Sequence, residues 1–171
     1  MYKRQALGWP FVAPDASTPS ERSGAIAVFE LPRGMTVCQG ASNSTGIGSV
    51  LSVHGNAAAA QGDVFVEAAG LPPSSLCLGL VSAQDGFVVN PGGSAGNLCL
   101  SGSIGRFVQQ AGPANADGRY QWRVQEAGLP IPTGFVTLQA GSSWVFQGWY
   151  RDVQSGQVTS NFTSAVRASF D

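Results

Sequence analysis

Apolar and polar positions alternate along most of this chain. Val64, Val66 and Ala68 fall on one face, with Phe65 and Glu67 on the other, and Leu76, Leu78 and Leu80 share a face. Tyr120, Trp122 and Val124 stand opposite Arg119, Gln121 and Arg123; Trp144, Phe146 and Tyr150 align, as do Phe162, Val166, Ala168 and Phe170. A period of two marks half-buried antiparallel strands. Turn clusters separate the runs: Gln84-Asp-Gly86, Asn90-Pro-Gly-Gly93, Ala116-Asp-Gly118 and Gln154-Ser-Gly156 among them. The pattern predicts an all-β fold, an antiparallel β-sandwich of jelly-roll or immunoglobulin-like type, with about eight or nine strands over residues 36–171. The one helix-friendly run, residues 56–61, is too short to stand alone.

Residues 1–35 read differently, as an N-terminal extension. Residues 14–24, rich in Pro, Ser, Thr and Gly, form a linker pattern. Ala25-Ile-Ala-Val-Phe-Glu-Leu31 follows and predicts a strand ending at Pro32. Such a strand either completes its own sheet, the commoner arrangement, or adds to a neighbour's. Met1-Tyr-Lys-Arg4 resembles the basic start of a signal peptide, but no apolar core follows it, which suggests a processed leader or an expression boundary.

Composition narrows the setting. Charged residues are 11% of the 171, well under the roughly 25% of an average soluble protein. With one lysine, Lys3, and a net charge of −1, the chain lacks the basic footprint of a nucleic-acid binder. Weak repulsion between copies favours self-association. No apolar run reaches the roughly 18 residues of a membrane span. Three cysteines, Cys38, Cys77 and Cys99, show no metal-ligand spacing, and allow one disulfide and one buried thiol.

Candidate chemistry is sparse. His54, the single histidine, has no nucleophile elbow beside it, and the acidic residues are scattered rather than paired. No metal or cofactor is expected, although loop oxygens near Asp85, Asp117 or Asp152 would be the place for a structural calcium. The sharper candidate lies in Ser143-Trp-Val-Phe-Gln-Gly-Trp-Tyr-Arg-Asp152. Val145, Gln147, Trp149 and Arg151 share one face of that strand, so Trp149, Gln147 and Arg151 form a candidate ligand-binding platform on which a sugar ring would stack. The competing reading makes Trp149 a covered core residue and has Arg151 and Asp152 brace the hairpin as an ion pair. Trp144, Tyr150 and Asp152 read as structural. Asn43-Ser-Thr45 and Asn161-Phe-Thr163 match the glycosylation triplet.

Several motifs recur together: Asn43-Ser-Thr-Gly46 shortly after Cys38, Gly70-Leu-Pro72, Gly96-Asn-Leu-Cys-Leu-Ser-Gly-Ser-Ile-Gly-Arg106, Trp144-x-Phe-Gln-x-Trp-Tyr-Arg-Asp152 and Ser160-Asn-Phe-Thr163. In their order and spacing, over roughly residues 36–170, they resemble a β-rich domain of secreted proteins from planctomycetes, myxobacteria and related marine bacteria. The resemblance implies export and a cell-surface or extracellular setting, with no established reaction. It also implies a disulfide between Cys38 and Cys99. Where that family can carry a cysteine ahead of Trp-Tyr-Arg-Asp, this chain has Gly148, which leaves Cys77 without that partner.

Three functions follow as expectations. The first is a non-catalytic secreted or cell-surface structural or adhesive protein, assembling with copies of itself or other envelope components through its N-terminal segment. The second is a carbohydrate-binding module with polysaccharide as partner. The third is an extracellular hydrolase built on His54 or on a pair of acidic residues.

Overall fold

The computed structural model describes residues 34–55, 64–124 and 128–171. The predicted strand at 25–31 and the alanine run at 56–61 lie outside these residues. The described chain is all-β, with antiparallel sheets. Its strands are β1 (Met35–Cys38), β2 (Val50–His54), β3 (Val64–Ala69), β4 (Leu76–Ser82), β5 (Gln84–Val88), β6 (Leu98–Ser101), β7 (Gly105–Arg106), β8 (Gly112–Pro113), β9 (Arg119–Val124), β10 (Leu129–Ile131), β11 (Gly134–Val136), β12 (Ser143–Gln154) and β13 (Gln157–Ser169). The count exceeds the expected eight or nine because several are two- or three-residue ladder fragments. β7 and β8, for example, are two separate stretches that both pair with β4.

The larger sheet runs β1-β13-β12-β4-β7, with β8 also on β4, and the smaller runs β2-β3-β9. Between them lies the main core, in which Trp122, Phe146, Tyr150, Val66 and Val81 are enclosed. Alternation does the sorting: β3 and β9 each bury every second residue, as the sequence pattern requires. Gly148 of β12 lies opposite Gly79 of β4, and Gly79 makes room for the Trp122 indole. A methyl group on Gly79 would stand 2.5 Å from that ring.

The large sheet buries its second face as well. The hairpin of β5 and β6 lies across it, forming a smaller core from Leu80, Cys99, Leu100, Val145, Phe162 and Ala165. The Cys38–Cys99 disulfide ties β1 to this hairpin, and Arg167 pairs with Asp85. Molecules with a two-faced central sheet need apolar residues on both sides of the strands, and β12 and β13 have them.

One expectation is corrected here. Phe162 does not share a face with Val166, Ala168 and Phe170. Trp149 pairs with Phe162 while Gln147 pairs with Ala165, so Thr163 and Ser164 together oppose the single residue Gly148. This β-bulge shifts the phase by one residue. Phe162 therefore enters the smaller core, and Val166, Ala168 and Phe170 enter the main one. The bulge also stitches the two sheets: the Ser164 amide donates to the Ser49 carbonyl at 2.8 Å, and the Leu51 amide donates to Ser164 Oγ at 2.9 Å.

Candidate functional site

The Trp149 face of β12 opens into a groove at the margin of the β5–β6 hairpin. Leu78 and Leu80 of β4, Leu98 of β6, Phe162 of β13 and Trp149 line it, closed by Pro91 and Ile104, with Arg106 at its rim. Its volume is about 290 Å³. Trp149 is half-buried, and the exposed Arg151 holds its guanidinium carbon 5.5 Å from the ring centroid, within cation–π range. Residues 149 and 151 meet because they are two apart on one strand. Among the described residues neither Arg106 nor Arg151 has an acidic partner; the ion pairs there are Arg119–Glu67 and Arg167–Asp85.

Gln147 shares this face but not the groove. It is completely buried under the hairpin. Its Oε1 accepts from the Cys99 amide at 2.9 Å, and its Nε2 donates to the carbonyls of Asn97 and Thr163, both at 3.0 Å. The expectation that Gln147 reads a ligand beside Trp149 is therefore corrected: its amide is buried and joins β6 to the large sheet. What remains of the predicted platform is Trp149 with Arg151.

The expected Arg151–Asp152 ion pair is not formed either, because neighbours on a strand point to opposite faces. Asp152 is buried and accepts from the Ser44 amide at 3.2 Å, the Val153 amide at 2.8 Å and Asn161 Nδ2 at 3.4 Å. Burial alone pushes its carboxyl up, but these donors outweigh that and hold it below the usual carboxylate range. Asn161 also donates to the Ser42 carbonyl at 3.1 Å. Asn43 donates to Ser49 Oγ and to the Gly70 carbonyl, and Ser49 Oγ donates to the Tyr150 hydroxyl at 3.0 Å. Motifs distant in sequence thus converge on one polar network that pins the 42–46 loop to the end of β12 and β13. Asn43 and Asn161, the two glycosylation triplets, are both buried in it, so neither amide is open to modification in the folded protein.

Cys77 is the free cysteine of the described chain, and burial pushes its thiol up. Tyr120 is pushed up to about 12 by the same cause. Trp144 packs against the main core with its Nε1 unpartnered.

Ser52 is a residue the sequence did not nominate. Its Oγ lies 2.7 Å from His54 Nε2, and the imidazole stacks on Phe65 with centroids 5.0 Å apart. A two-residue spacing on one strand face is the signal that would have found it. Such a contact is what a nucleophile and its base require. Here it stands on the outer face of the β2-β3-β9 sheet, where the nearby Glu67 carboxylate is engaged by Arg119 and Gln121. On the same sheet the Gln110 amide caps the open edge of β9, exchanging both hydrogen bonds with the backbone of Arg123.

The chain was compared with protein-family models, curated proteins and solved structures. It matches none of them. The disulfide fits an oxidising compartment. No helix among the described residues is long and apolar enough to cross a membrane. Among the same residues no three His, Cys, Asp or Glu side chains come together as a metal site, and Asp85 and Asp152 are committed to Arg167 and to backbone donors.

Proposed function

We propose that this chain is a non-catalytic secreted or cell-surface protein, structural or adhesive, that works by packing against copies of itself or other envelope components. The groove at Trp149 carries the reading. It is apolar and open, with Arg106 in its lining and Arg151 over the Trp149 ring, neither with an acidic partner among the described residues. Exposed Phe87, Val88 and Val89 precede Pro91 of that groove, and Val158, also exposed, neighbours Thr159, which bonds Gly93. One end of the molecule is therefore unusually apolar for a surface. Negative-stain microscopy of the native fraction, with light scattering of the purified chain, tests this. Filaments, rings or sheets are expected; a monomer at every concentration would sink self-assembly and leave contact with other envelope components to be tested by pull-down from the native envelope fraction.

A carbohydrate-binding role has one observation in its favour, the half-exposed Trp149. Against it stand the enclosed Gln147 and the Arg151 guanidinium over the ring, which leave few neutral groups to read hydroxyls. A glycan array with the protein and its Trp149→Ala variant decides: binding lost in the variant alone would favour the sugar reading.

A further inference from the structure

We infer that the end of the molecule formed by the tips of the β5–β6 and β12–β13 hairpins docks on a lipid bilayer surface, with Phe87, Val89 and Val158 entering it. This rests on the envelope reading above and names lipid as the component met.

Exposure singles out this end. Phe87 and Val89 are each 63% exposed, and Val158 is 74% exposed. Most of each side chain therefore stands clear of the fold. The two tips are joined: Thr159 Oγ1 donates to the Gly93 carbonyl at 3.1 Å, and the Ala95 amide donates to the Ser160 carbonyl at 2.8 Å. A cluster of exposed apolar groups marks contact with either a protein or a membrane. A fluid layer accepts protruding side chains without the shaped sockets that a protein must supply.

Charge favours the membrane. Residues 86–105 and 153–166 carry no charged side chain, so the tips enter an apolar layer with no ion to desolvate. Polar groups of the 90–95 loop are paired internally, as an apolar surrounding demands. Asn90 Nδ2 donates to the Ser94 carbonyl and Ser94 Oγ to the Ser160 carbonyl, both at 2.8 Å, and the Gly93 and Ser94 amides donate to the carbonyls of Asn90 and Pro91. The carboxylates flanking these segments are engaged, Asp85 by Arg167 and the buried Asp152 by amide donors. Arg151 over Trp149 and Arg106 in the groove have no acidic partner among the described residues. Arg151 pairs with Ser160, two residues along β12 from the Val153–Val158 pair, or about 7 Å. Apolar groups of surface-bound proteins sink about 5–10 Å to the headgroup boundary, which sets Arg151 and Trp149 level with the phosphates. Tryptophan and arginine are suited to that depth, each with an apolar body and a polar end.

Flotation of the full-length chain with vesicles tests this, using phosphatidylcholine alone and phosphatidylcholine mixed with phosphatidylglycerol. Binding to the mixed vesicles is expected, about tenfold tighter than to phosphatidylcholine alone. Phe87→Ser with Val89→Ser, at exposed positions outside both cores, should weaken it about tenfold. Val50→Ser, at a similarly exposed position on β2 of the other sheet, should leave it unchanged. Arg106→Gln with Arg151→Gln should remove the preference for anionic lipid. If the chain floats with neither vesicle, or if the Phe87/Val89 variant binds like the unaltered chain, the inference falls. Equal loss in Val50→Ser would show unspecific adsorption and overturn it too. If the chain ignores vesicles and the Phe87/Val89 variant loses self-assembly by light scattering without lipid, the tips are a protein contact; the lipid inference then falls while the assembly reading stands.

Discussion

Gln147 and Asp152 show how single polar side chains hold this fold. Gln147 has three hydrogen bonds inside the molecule and no exposure. Gln147→Ala would strand the Cys99 amide and two carbonyls and open a cavity, and should lower unfolding free energy by about 3 kcal/mol in a denaturant titration. Asp152 predicts an acid limb. Its folded-state carboxyl lies below the usual value, so its contribution is complete above about pH 4, the unfolded value, and disappears as pH falls through the folded one. Thermal melts should show that loss below about pH 4, and Asp152→Asn should flatten it. Cys77, buried with its thiol pushed up, should react with a thiol reagent only after unfolding.

Among elements, the β5–β6 hairpin packs on the second face of the large sheet. It is held to the large sheet by the small core, the Gln147 amide, the Asp85–Arg167 pair and one disulfide. The disulfide spans 61 residues, and in the chain-entropy model reducing it removes about 4 kcal/mol. Reduction should first expose β5 and β6 to hydrogen exchange while β3 and β9 stay protected; uniform loss of protection would show instead that both cores unfold together. The β12–β13 hairpin was legible in outline from its alternating aromatics and the Gln154-Ser-Gly156 turn. The face of Phe162 was not. No residue type announces a bulge, and the phase shift depends on Thr163 and Ser164 finding partners at Gly148, Ser49 and Leu51.

Over the whole molecule, the net charge of −1 gives little electrostatic repulsion between copies. The sequence pI is about 5.7, so scattering should be greatest near that pH. An assembly held by the apolar groove should persist at about 1 M salt, where the Debye length is about 3 Å. Dissociation under those conditions would point to an assembly held mainly by surface charge.

By itself the sequence determined what depends on neighbours in the chain: the strands, their turns, the all-β class, and the opposite directions of Phe146 and Trp149. These follow from the period of the pleat. It also pointed, through a resemblance of motifs, to the Cys38–Cys99 pairing that the structure contains. Tertiary structure alone decided which of two apolar faces each strand end enters, because both faces of the large sheet are covered. It alone placed Gln147 under the hairpin, joined the 42–46 loop to Asp152 and Asn161 through Ser42 and Ser44, and left Trp149 at the margin beside Arg151. Burial and hydrogen bonding between residues tens of positions apart are properties of the assembled layers, and no local spacing encodes them.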